Sequence, residues 1–241
     1  MRAMILAAGR GERMRPLTDH LPKPLLKVAG KPLIVYHIEA LVAAGVHDIV
    51  INHAWLGHLI EQQLGDGHQF GVRLHYSPEG PTGLETARGI KQAFGLLTAE
   101  SETEPFLVVN GDVLTTYPLT ELVNQGLPAG ALAHLVMVEN PPQHPAGDFA
   151  FAAERPWLTA SGDQQFTFSG IALYHPAFFS EVPPGPQKLA PFLRHAMAKQ
   201  QISGEIFRGY WADIGTPERL QQADSTFCIG QSVQPRNHHV G

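Results

Sequence analysis

Apolar and polar residues follow two distinct patterns in the first half of the chain. Short apolar runs are typical of buried strands; they fall at residues 3–6 and 106–109, and residues 48–51 and 73–76 also predict strands. Between these runs, apolar residues recur at helical spacing, which predicts helices at 33–42, 56–64 and 84–97. Gly45 follows the first of these helices and is expected to cap it. The resulting β-α-β-α-β-α-β order predicts an α/β fold with a mostly parallel twisted sheet and helices on both faces.

The pattern changes after Asp112. Residues 131–138 and 166–174 predict longer strands, separated by loops rich in Pro, Gly and Asp, and 189–199 predicts a helix. We expect this part to form a small mixed or antiparallel portion on one side of a cleft. Further along, 204–214 predicts strand and turn, and Thr216 followed by Pro217 predicts the start of a last helix.

Composition and charge exclude several classes of protein. The net charge is −5 and the Lys and Arg residues are dispersed, which argues against a nucleic-acid partner. No apolar run approaches the ~18 residues that a membrane span needs, and the apolar start is too short for a signal peptide. The single cysteine, Cys228, excludes an internal disulfide, and the 13 histidines lack the spacing of a zinc site. We therefore expect a cytoplasmic protein without a membrane partner.

The loop after the first strand carries the strongest chemical signal. Gly9 and Gly11 would let backbone N–H groups approach phosphate oxygens, and three cations follow within eleven residues, at Arg13, Arg15 and Lys23. Prolines on both sides of Lys23 restrict its backbone, which favours a fixed direction for the amine. Met14 stands where a dinucleotide fingerprint needs a third glycine, and the Gly-Lys-Ser/Thr of a P-loop is absent. The loop therefore predicts a different kind of polyphosphate site.

A carboxylate for a metal ion follows the last strand of the first half. Asp112 comes after residues 106–109 through Asn110-Gly111, which places it at the carboxyl end of a buried strand. Binding sites of open α/β sheets lie at that edge, and Mg²⁺ is commonly bound by one or two carboxylates together with substrate phosphates. Asp112 is thus the first candidate metal ligand.

The loop and Asp112 together resemble the sugar-1-phosphate nucleotidyltransferases. Their Leu-Ala-Ala-Gly-x-Gly-x-Arg and Pro-Lys-Pro elements match residues 6–13 and 22–24, and their Gly-Asp element matches Gly111-Asp112. The resemblance implies a Rossmann-like nucleotidyltransferase fold and a nucleotide site at Leu6, Ala7, Ala8, Gly9, Gly11, Arg13 and Lys23. It further implies that Gly11 and Arg13 hold the β- and γ-phosphates, while Lys23 neutralises the α-phosphate, so that Arg13 and Lys23 are the catalytic cations.

The same resemblance implies a second metal ligand and a domain layout. The family's Trp-x-Asp-(Val/Ile)-Gly-Thr element matches residues 211–216, so Asp213 would hold Mg²⁺ together with Asp112. We expect one domain over 1–228. It would comprise a nucleotide-binding half at about 1–125, a sugar-binding insert at about 126–200 and a closing metal element and helix at about 201–228, followed by a loose tail at 229–241.

Base and sugar contacts are also implied by the resemblance. Glu79 and Gly83 fall where the family recognises the base. The sugar contacts would be Asn110, Gly147, Asp148, Glu154, Ser169 and Lys188. Related enzymes carry Glu-Lys-Pro where this chain has Glu154-Arg155-Pro156, so Lys188 is the candidate replacement for the missing lysine.

Within the family the chain resembles the uridylyltransferases that act on N-acetylmuramate 1-phosphate in bacterial cell-wall recycling. The shared elements are residues 51–57, a Ser-Pro-Glu-Gly at 77–80, Leu-Glu-Thr at 84–86 and 166–170. The resemblance implies a nucleoside triphosphate and a sugar 1-phosphate as substrates. Four alternatives stay open on the residues alone: a mannose-1-phosphate guanylyltransferase, a glucose-1-phosphate thymidylyltransferase, a cytidylyltransferase for a small phosphate, and a regulatory subunit that binds nucleotide sugars without catalysis. The sequence leaves the oligomeric state undetermined.

Overall fold

A computed structural model describes residues 1–80, 83–154 and 156–232. The strands are β1 (Ala3–Leu6), β2 (Lys27–Val28), β3 (Lys31–Pro32), β4 (Asp48–His53), β5 (Arg73–Pro78), β6 (Phe106–Asn110), β7 (Val113–Thr115), β8 (Ala133–Val138), β9 (Phe149–Phe151), β10 (Leu158–Thr159), β11 (Gln165–Tyr174), β12 (Ile202–Phe207) and β13 (Trp211–Asp213). The helices are α1 (Leu33–Ala43), α2 (Gly57–Leu64), α3 (Thr86–Gln92), α4 (Phe94–Leu97), α5 (Leu119–Gln125), α6 (Leu189–Met197) and α7 (Pro217–Ser232).

The four strands expected from the first half form the parallel part of the main sheet. They lie in the order β5-β4-β1-β6, and Ile5 of β1 is paired with Ile51 on one side and Val109 on the other. The parallel sheet is therefore confirmed. Its carboxyl edge carries the ends of β1, β4, β5 and β6, and the loops that follow these strands surround one cleft.

The strands of the second half extend this same sheet. β11 runs antiparallel to β6, β8 and β9, and β12 pairs with β8 in parallel. The expected mixed portion is present, but it continues the central sheet beyond β6. A separate short ribbon joins β7 to β13, so the chain after Asp112 and the chain around Asp213 lie side by side.

Burial on both faces of the sheet explains the continuous apolar runs of the central strands. In β1, Ala3 and Ile5 contribute to one hydrophobic cluster, whereas Met4 points into another, and all three side chains are fully buried. Because successive side chains of a strand point to opposite faces, a run with no polar position indicates layers on both sides.

Two predicted helix boundaries can be compared directly with the structure. The C-terminal cap at Gly45 is confirmed: Gly45 has φ 77°, its N–H donates to the carbonyl of Val42, and Val46 N–H donates to that of Leu41. The helix expected at 84–97 instead begins at Thr86 and is divided into α3 and α4 around Ala93. Its start is displaced because the backbone of Leu84 accepts a hydrogen bond from Gln187, and Glu85 has a positive φ of 62°.

The last helix begins at Pro217, as the Thr-Pro signal predicts, and runs to Ser232, past the expected domain end at 228. Residues 233–241 of the expected tail lie outside the described residues. None of the helices in the described part of the chain combines the length and apolarity that crossing a bilayer demands.

Candidate active site

A cleft of about 890 Å³ opens at the carboxyl edge of the parallel strands. Its lining includes the predicted nucleotide-binding residues Leu6, Ala7, Ala8, Gly9, Gly11, Arg13, Lys23, Glu79 and Gly83, together with Asn110 and Asp112. The structure thus gathers residues that are more than one hundred positions apart in sequence. A cleft at this edge is the expected ligand site of an open α/β sheet.

The glycine-rich loop has a conformation that requires glycine at position 11. Gly11 has φ 67°, and a Cβ there would lie 3.0 Å from Cγ2 of Thr18 and 3.4 Å from Cβ of Lys23. The hydroxyl of Thr18 donates to the carbonyl of Gly11 at 2.8 Å. Met14 is completely buried and anchors the middle of the loop. These contacts define the shape of the loop.

The cations of this loop are arranged differently from the expectation. Arg13 lines the cleft, as predicted. Arg15 does not line it, because its Nε donates to Oδ1 of Asp19 at 2.7 Å and its side chain is 61% exposed on the surface. Arg10, which the loop pattern did not single out, lines the cleft in its place.

Lys23 and Asp112 form an ion pair inside the cleft. Lys23 begins a short 3-10 turn between Pro22 and Pro24, and its Nζ lies 2.5 Å from Oδ2 of Asp112. The side chain of Lys23 is 10% exposed, whereas that of Asp112 is 38% exposed, so the carboxylate faces the open space. The acidic and the basic group therefore lie side by side at the place where a phosphate would bind.

The chain segment of Asp213 pairs with the segment of Asp112, but the two carboxylates contact different basic side chains. The N–H of Ile214 donates to the carbonyl of Asp112 at 2.9 Å, which ties the two chain segments together. Oδ2 of Asp213 accepts a hydrogen bond from Nη1 of Arg219 at 2.7 Å. Asp213 lines a neighbouring cleft with Arg219, while Gly215, two residues on, lines the first cleft.

The donor set fits a metal ion that is shared with substrate. Among the described residues, no group of three His, Cys, Asp or Glu side chains is placed so that it could hold a metal ion. Two carboxylates on adjacent chain segments suit Mg²⁺ only when phosphate oxygens and water complete its six oxygen ligands.

A buried hydrogen-bond network shapes the predicted base side of the cleft. Glu79 is 8% exposed, and its two carboxylate oxygens accept hydrogen bonds from Nδ2 of Asn52 at 2.6 Å and from the N–H of Leu84 at 2.8 Å. Oδ1 of Asn52 accepts the N–H of Ala7 at 2.9 Å. That N–H is therefore engaged within the protein, and a contact of Ala7 with a base would have to use its carbonyl.

Asn52 also lines this side of the cleft, although no role is predicted for it from the sequence. It is 3% exposed. One sequence signal could have identified it: a polar residue at the end of an otherwise apolar buried strand, next to the strand that carries the glycine loop.

The predicted sugar contacts are only partly brought together. Asn110 lines the cleft and packs against Gly170, where a Cβ would lie 2.6 Å from Cγ of Asn110. Asp148 does not line this cleft. Its Oδ2 accepts the N–H of Phe168 at 2.8 Å, and its Oδ1 lies 3.1 Å from Nε2 of His144. These contacts tie the loop around Asp148 to β11 and to His144.

The remaining predicted sugar contacts also lie outside the cleft lining. Ser169 is 1% exposed and its hydroxyl accepts the N–H of Ile171, so burial removes it from direct contact with a sugar. Gly147 packs against Asn140, where a Cβ would lie 2.7 Å from Oδ1. Glu154 and Lys188 are exposed, and Arg155 lies outside the described residues.

One titratable group lies beneath the site. His37 of α1 is 4% exposed, and no partner for its Nε2 is present among the described residues. Burial lowers the pKa of His37 to about 4, a shift that the negative charge of Asp112 partly opposes. The imidazole is therefore neutral at pH 7.

Comparison with known proteins finds relatives of similar sequence. The chain is 52% identical over 231 residues to an N-acetylmuramate alpha-1-phosphate uridylyltransferase from Neisseria meningitidis serogroup B, covering 93% of this chain and 97% of that protein. It is 31% identical over 255 residues to a mannose-1-phosphate guanylyltransferase catalytic subunit beta from Xenopus tropicalis, covering all of this chain and 69% of that one.

A solved structure has the same fold as this chain. A crystal structure from Bacillus anthracis, described as a glucose-1-phosphate thymidylyltransferase in complex with sucrose, superposes with a TM-score of 0.79 at 21% identity and covers 94% of both chains. A family profile described as nucleotidyl transferase matches residues 2–228. The chain therefore belongs to the nucleotidyl transferase family and is an enzyme of nucleotidyl transfer.

Proposed function

We propose that this enzyme transfers the uridylyl group of UTP to N-acetylmuramate 1-phosphate, giving a UDP-sugar and pyrophosphate. The observation that carries the chemistry is the Lys23–Asp112 pair, 2.5 Å apart, in a cleft lined by the glycine-rich loop. The base and the sugar are supported by the relative that is 52% identical over nearly its whole length. A cytoplasmic location belongs to the same proposal, since nucleoside triphosphates are available there.

The transfer needs no covalent enzyme intermediate. An oxygen of the sugar phosphate attacks the α-phosphorus, the bond from that phosphorus to the oxygen bridging to the β-phosphate breaks, and pyrophosphate leaves with the bridging oxygen. Negative charge grows on the attacking and leaving oxygens. Fixed positive groups that are aimed at this charge before the reaction supply most of the catalysis in such a step.

Two cations of the cleft, Lys23 and Arg13, have a place in this step. Lys23 is nearly buried and held between two prolines, so its ammonium neutralises charge at the α-phosphate with little reorganisation. Arg13 and the backbone around Gly11 hold the β- and γ-phosphates of the nucleotide and then the leaving pyrophosphate.

Mg²⁺ is the metal we propose for the two aspartates. Nucleotidyltransferases of this family generally depend on a divalent metal. Asp112 and Asp213 would hold the ion together with phosphate oxygens, and when bound it would supply positive charge that polarises the phosphates. In the structure Asp112 is paired with Lys23 and Asp213 with Arg219.

The base is read at Glu79 and Gly83. A carboxylate offers about four acceptor positions, and Glu79 uses one on each oxygen for Asn52 and Leu84. It therefore suits a base with an N–H in the middle of its pairing edge, as in uracil, thymine and guanine, and disfavours cytosine and adenine. Guanylyl transfer to mannose 1-phosphate is the second candidate, because the Xenopus tropicalis relative matches the whole chain.

N-acetylmuramate carries a carboxylate that mannose and glucose lack, so its recognition calls for an extra cation. Lys188 stands exposed at the start of α6, two residues after Pro186, which lines the cleft. We assign the contact with this part of the sugar to Lys188.

A substrate panel tests the proposal. Pyrophosphate release is measured for UTP, dTTP, GTP and CTP, each with N-acetylmuramate, N-acetylglucosamine, mannose and glucose 1-phosphates. The proposal expects kcat/KM for UTP with N-acetylmuramate 1-phosphate to exceed every other pair by at least about tenfold, the net worth of one hydrogen bond. If kcat/KM is instead highest for GTP with mannose 1-phosphate, the second candidate function replaces the proposal.

A further inference from the structure

The chain at the end of β4 contacts both halves of the nucleotide cleft. We call residues 52–55 the β4-end segment. Asn52 joins the base side, through its hydrogen bonds to Ala7 and Glu79. Residues 7–19, which contain the glycine-rich loop, are called the phosphate loop. Three residues after Asn52, Nε1 of Trp55 donates to the carbonyl of Thr18 in this loop at 3.0 Å. Neither role was assigned to these residues from the sequence.

Trp55 contacts the phosphate loop in two ways. Besides its hydrogen bond to Thr18, its ring lies under the guanidinium of Arg10, with 4.0 Å from Cζ to the ring centroid. Arg10 in turn donates from Nη1 to the same Thr18 carbonyl at 2.9 Å and from Nη2 to Asp19 at 3.3 Å. The carbonyl of Thr18 therefore accepts one hydrogen bond from Trp55 and one from Arg10.

This contact leads directly to the phosphate-binding backbone. Thr18 hydroxyl donates to the carbonyl of Gly11, and a Cβ on Gly11 would lie only 3.0 Å from Thr18 and 3.4 Å from Lys23. The loop contains two 3-10 turns, Glu12–Met14 and Leu17–Asp19, whose hydrogen-bond geometry is poorer than that of an α-helix, so contacts from outside help to fix its shape. Trp55 supplies such a contact although it is 36% exposed and adds little to the core.

The β4-end segment is itself held firmly. Gly57 approaches His53 so closely that a Cβ would lie 1.9 Å from Nδ1, and Nε2 of His53 lies 2.6 Å from Oε1 of Glu61. Leu56 has a positive φ of 53°, which turns the chain sharply from β4 into α2. This turn aims Trp55 at the phosphate loop while Asn52 stays in the sheet.

We propose that the β4-end segment positions the two ends of the nucleotide separately, Asn52 the base and Trp55 the triphosphate through Arg10 and Thr18. Both are positioning residues, because each acts through another group of the cleft. The proposal rests on the proposed function, since it takes a nucleoside triphosphate as the ligand. A preformed loop binds more tightly because less ordering remains to be done on binding.

The two residues therefore leave different signatures in nucleotide affinity. Titration calorimetry with UMP, UDP and UTP is expected to show that Trp55→Ala weakens UTP about tenfold, UDP by less and UMP by less than about twofold. Asn52→Ala is expected to weaken all three by one common factor, about three- to tenfold, because all three share the base.

Conservative and control variants separate positioning from general damage. Trp55→Phe keeps a ring beneath Arg10 but loses the N–H, so it should recover part of the loss of UTP affinity. Leu17→Ala removes another exposed apolar side chain, 42% exposed, from the same loop and should leave all three affinities unchanged. Thermal unfolding of each variant reports whether the fold is intact.

Hydrogen exchange supplies a test that needs no ligand. The N–H groups of Met14 and Asp19 are bonded within the loop to Gly11 and Pro16 at 2.9 and 3.0 Å. Trp55→Ala should speed their exchange at least about tenfold, while amides of β1 stay protected. Unchanged exchange, or equal weakening of UMP and UTP by Trp55→Ala at native Tm, would overturn the proposal. Failure of the wild-type protein to bind any uridine nucleotide would instead count against the proposed function, and the exchange comparison would still decide this inference.

Discussion

Nζ of Lys23 lies 2.5 Å from Oδ2 of Asp112, although 89 residues separate the two in sequence. The amine comes from a proline-flanked turn and the carboxylate from the loop after β6, so the pair joins the two parts of the chain that carried the strongest chemical signals. In the resting site each charge neutralises the other. A nucleotide phosphate and a metal ion together could take over both partners without leaving an unpaired charge.

Replacing Lys23 should remove catalysis without unfolding the protein. Lys23→Ala is expected to lower kcat by roughly 10²-fold or more, because a preorganised cation at the α-phosphate is lost. Lys27→Ala is the matched control, since Lys27 is exposed and lies only four residues away. The measurement is pyrophosphate release at saturating substrates, with Tm recorded for both variants. A folded Lys23→Ala enzyme with near-normal kcat would contradict the assigned role.

Metal binding should depend on nucleotide. The two aspartates are each bonded to a cation, Lys23 and Arg219, so the protein alone should hold Mn²⁺, used as a spectroscopic substitute for Mg²⁺, only weakly. Electron paramagnetic resonance should show a Mn²⁺ affinity that rises by at least about tenfold when UTP is added, and Asp112→Asn should abolish that rise. Tight Mn²⁺ binding without nucleotide would show that more protein ligands exist than the two aspartates.

The close approach of α3 to Glu79 predicts a difference between two glycines. A Cβ on Gly89 would lie 2.2 Å from Oε1 of Glu79, whereas a Cβ on Gly95 meets nothing within 4 Å. Gly89→Ala should cost about 1–3 kcal/mol of stability and weaken nucleotide binding, since Glu79 must move. Gly95→Ala should be neutral or stabilising by up to about 1 kcal/mol. Denaturant titration measures both, and equal effects would show that Glu79 is not confined by Gly89.

Burial of His37 predicts a loss of stability in mild acid. Its pKa is about 4 in the folded protein and 6.5 when unfolded, so the unfolded state binds more protons between these values. The contribution is complete above pH 6.5 and is lost as the pH falls towards 4, on the order of 3 kcal/mol in total.

His37→Leu should reduce the slope of stability against pH within that window. The measurement is urea unfolding from pH 4 to 7, compared with the exposed histidine variant His68→Leu. An unchanged slope in His37→Leu would show that His37 is already protonated in the folded protein.

The sequence predicted the parallel half of the sheet well because its signals are local. A strand buried on both faces is apolar at nearly every position, and Ala3, Met4 and Ile5 meet that condition without reference to the rest of the chain. Gly45 was equally readable, since its left-handed φ follows directly from the end of α1.

The parts that escaped prediction depend on contacts that are distant in sequence. Arg15 was counted with the phosphate cations, but Asp19 holds it at the surface, and Arg10 takes a place in the cleft instead. Ser169 matches a sugar-site pattern, but burial gives its hydroxyl to the backbone. In both cases the sequence pattern predicted the residue, and a neighbouring group decided where its side chain points.

Product analysis by mass spectrometry shows directly whether a UDP-sugar is formed. Purified enzyme is incubated with UTP, N-acetylmuramate 1-phosphate and Mg²⁺, with the Lys23→Ala variant in parallel. We expect UDP-N-acetylmuramate and pyrophosphate in equal amounts from the wild-type enzyme, and less than about a hundredth of that rate from the variant. No UDP-sugar from the wild-type enzyme, or equal formation by the variant, would contradict the proposal.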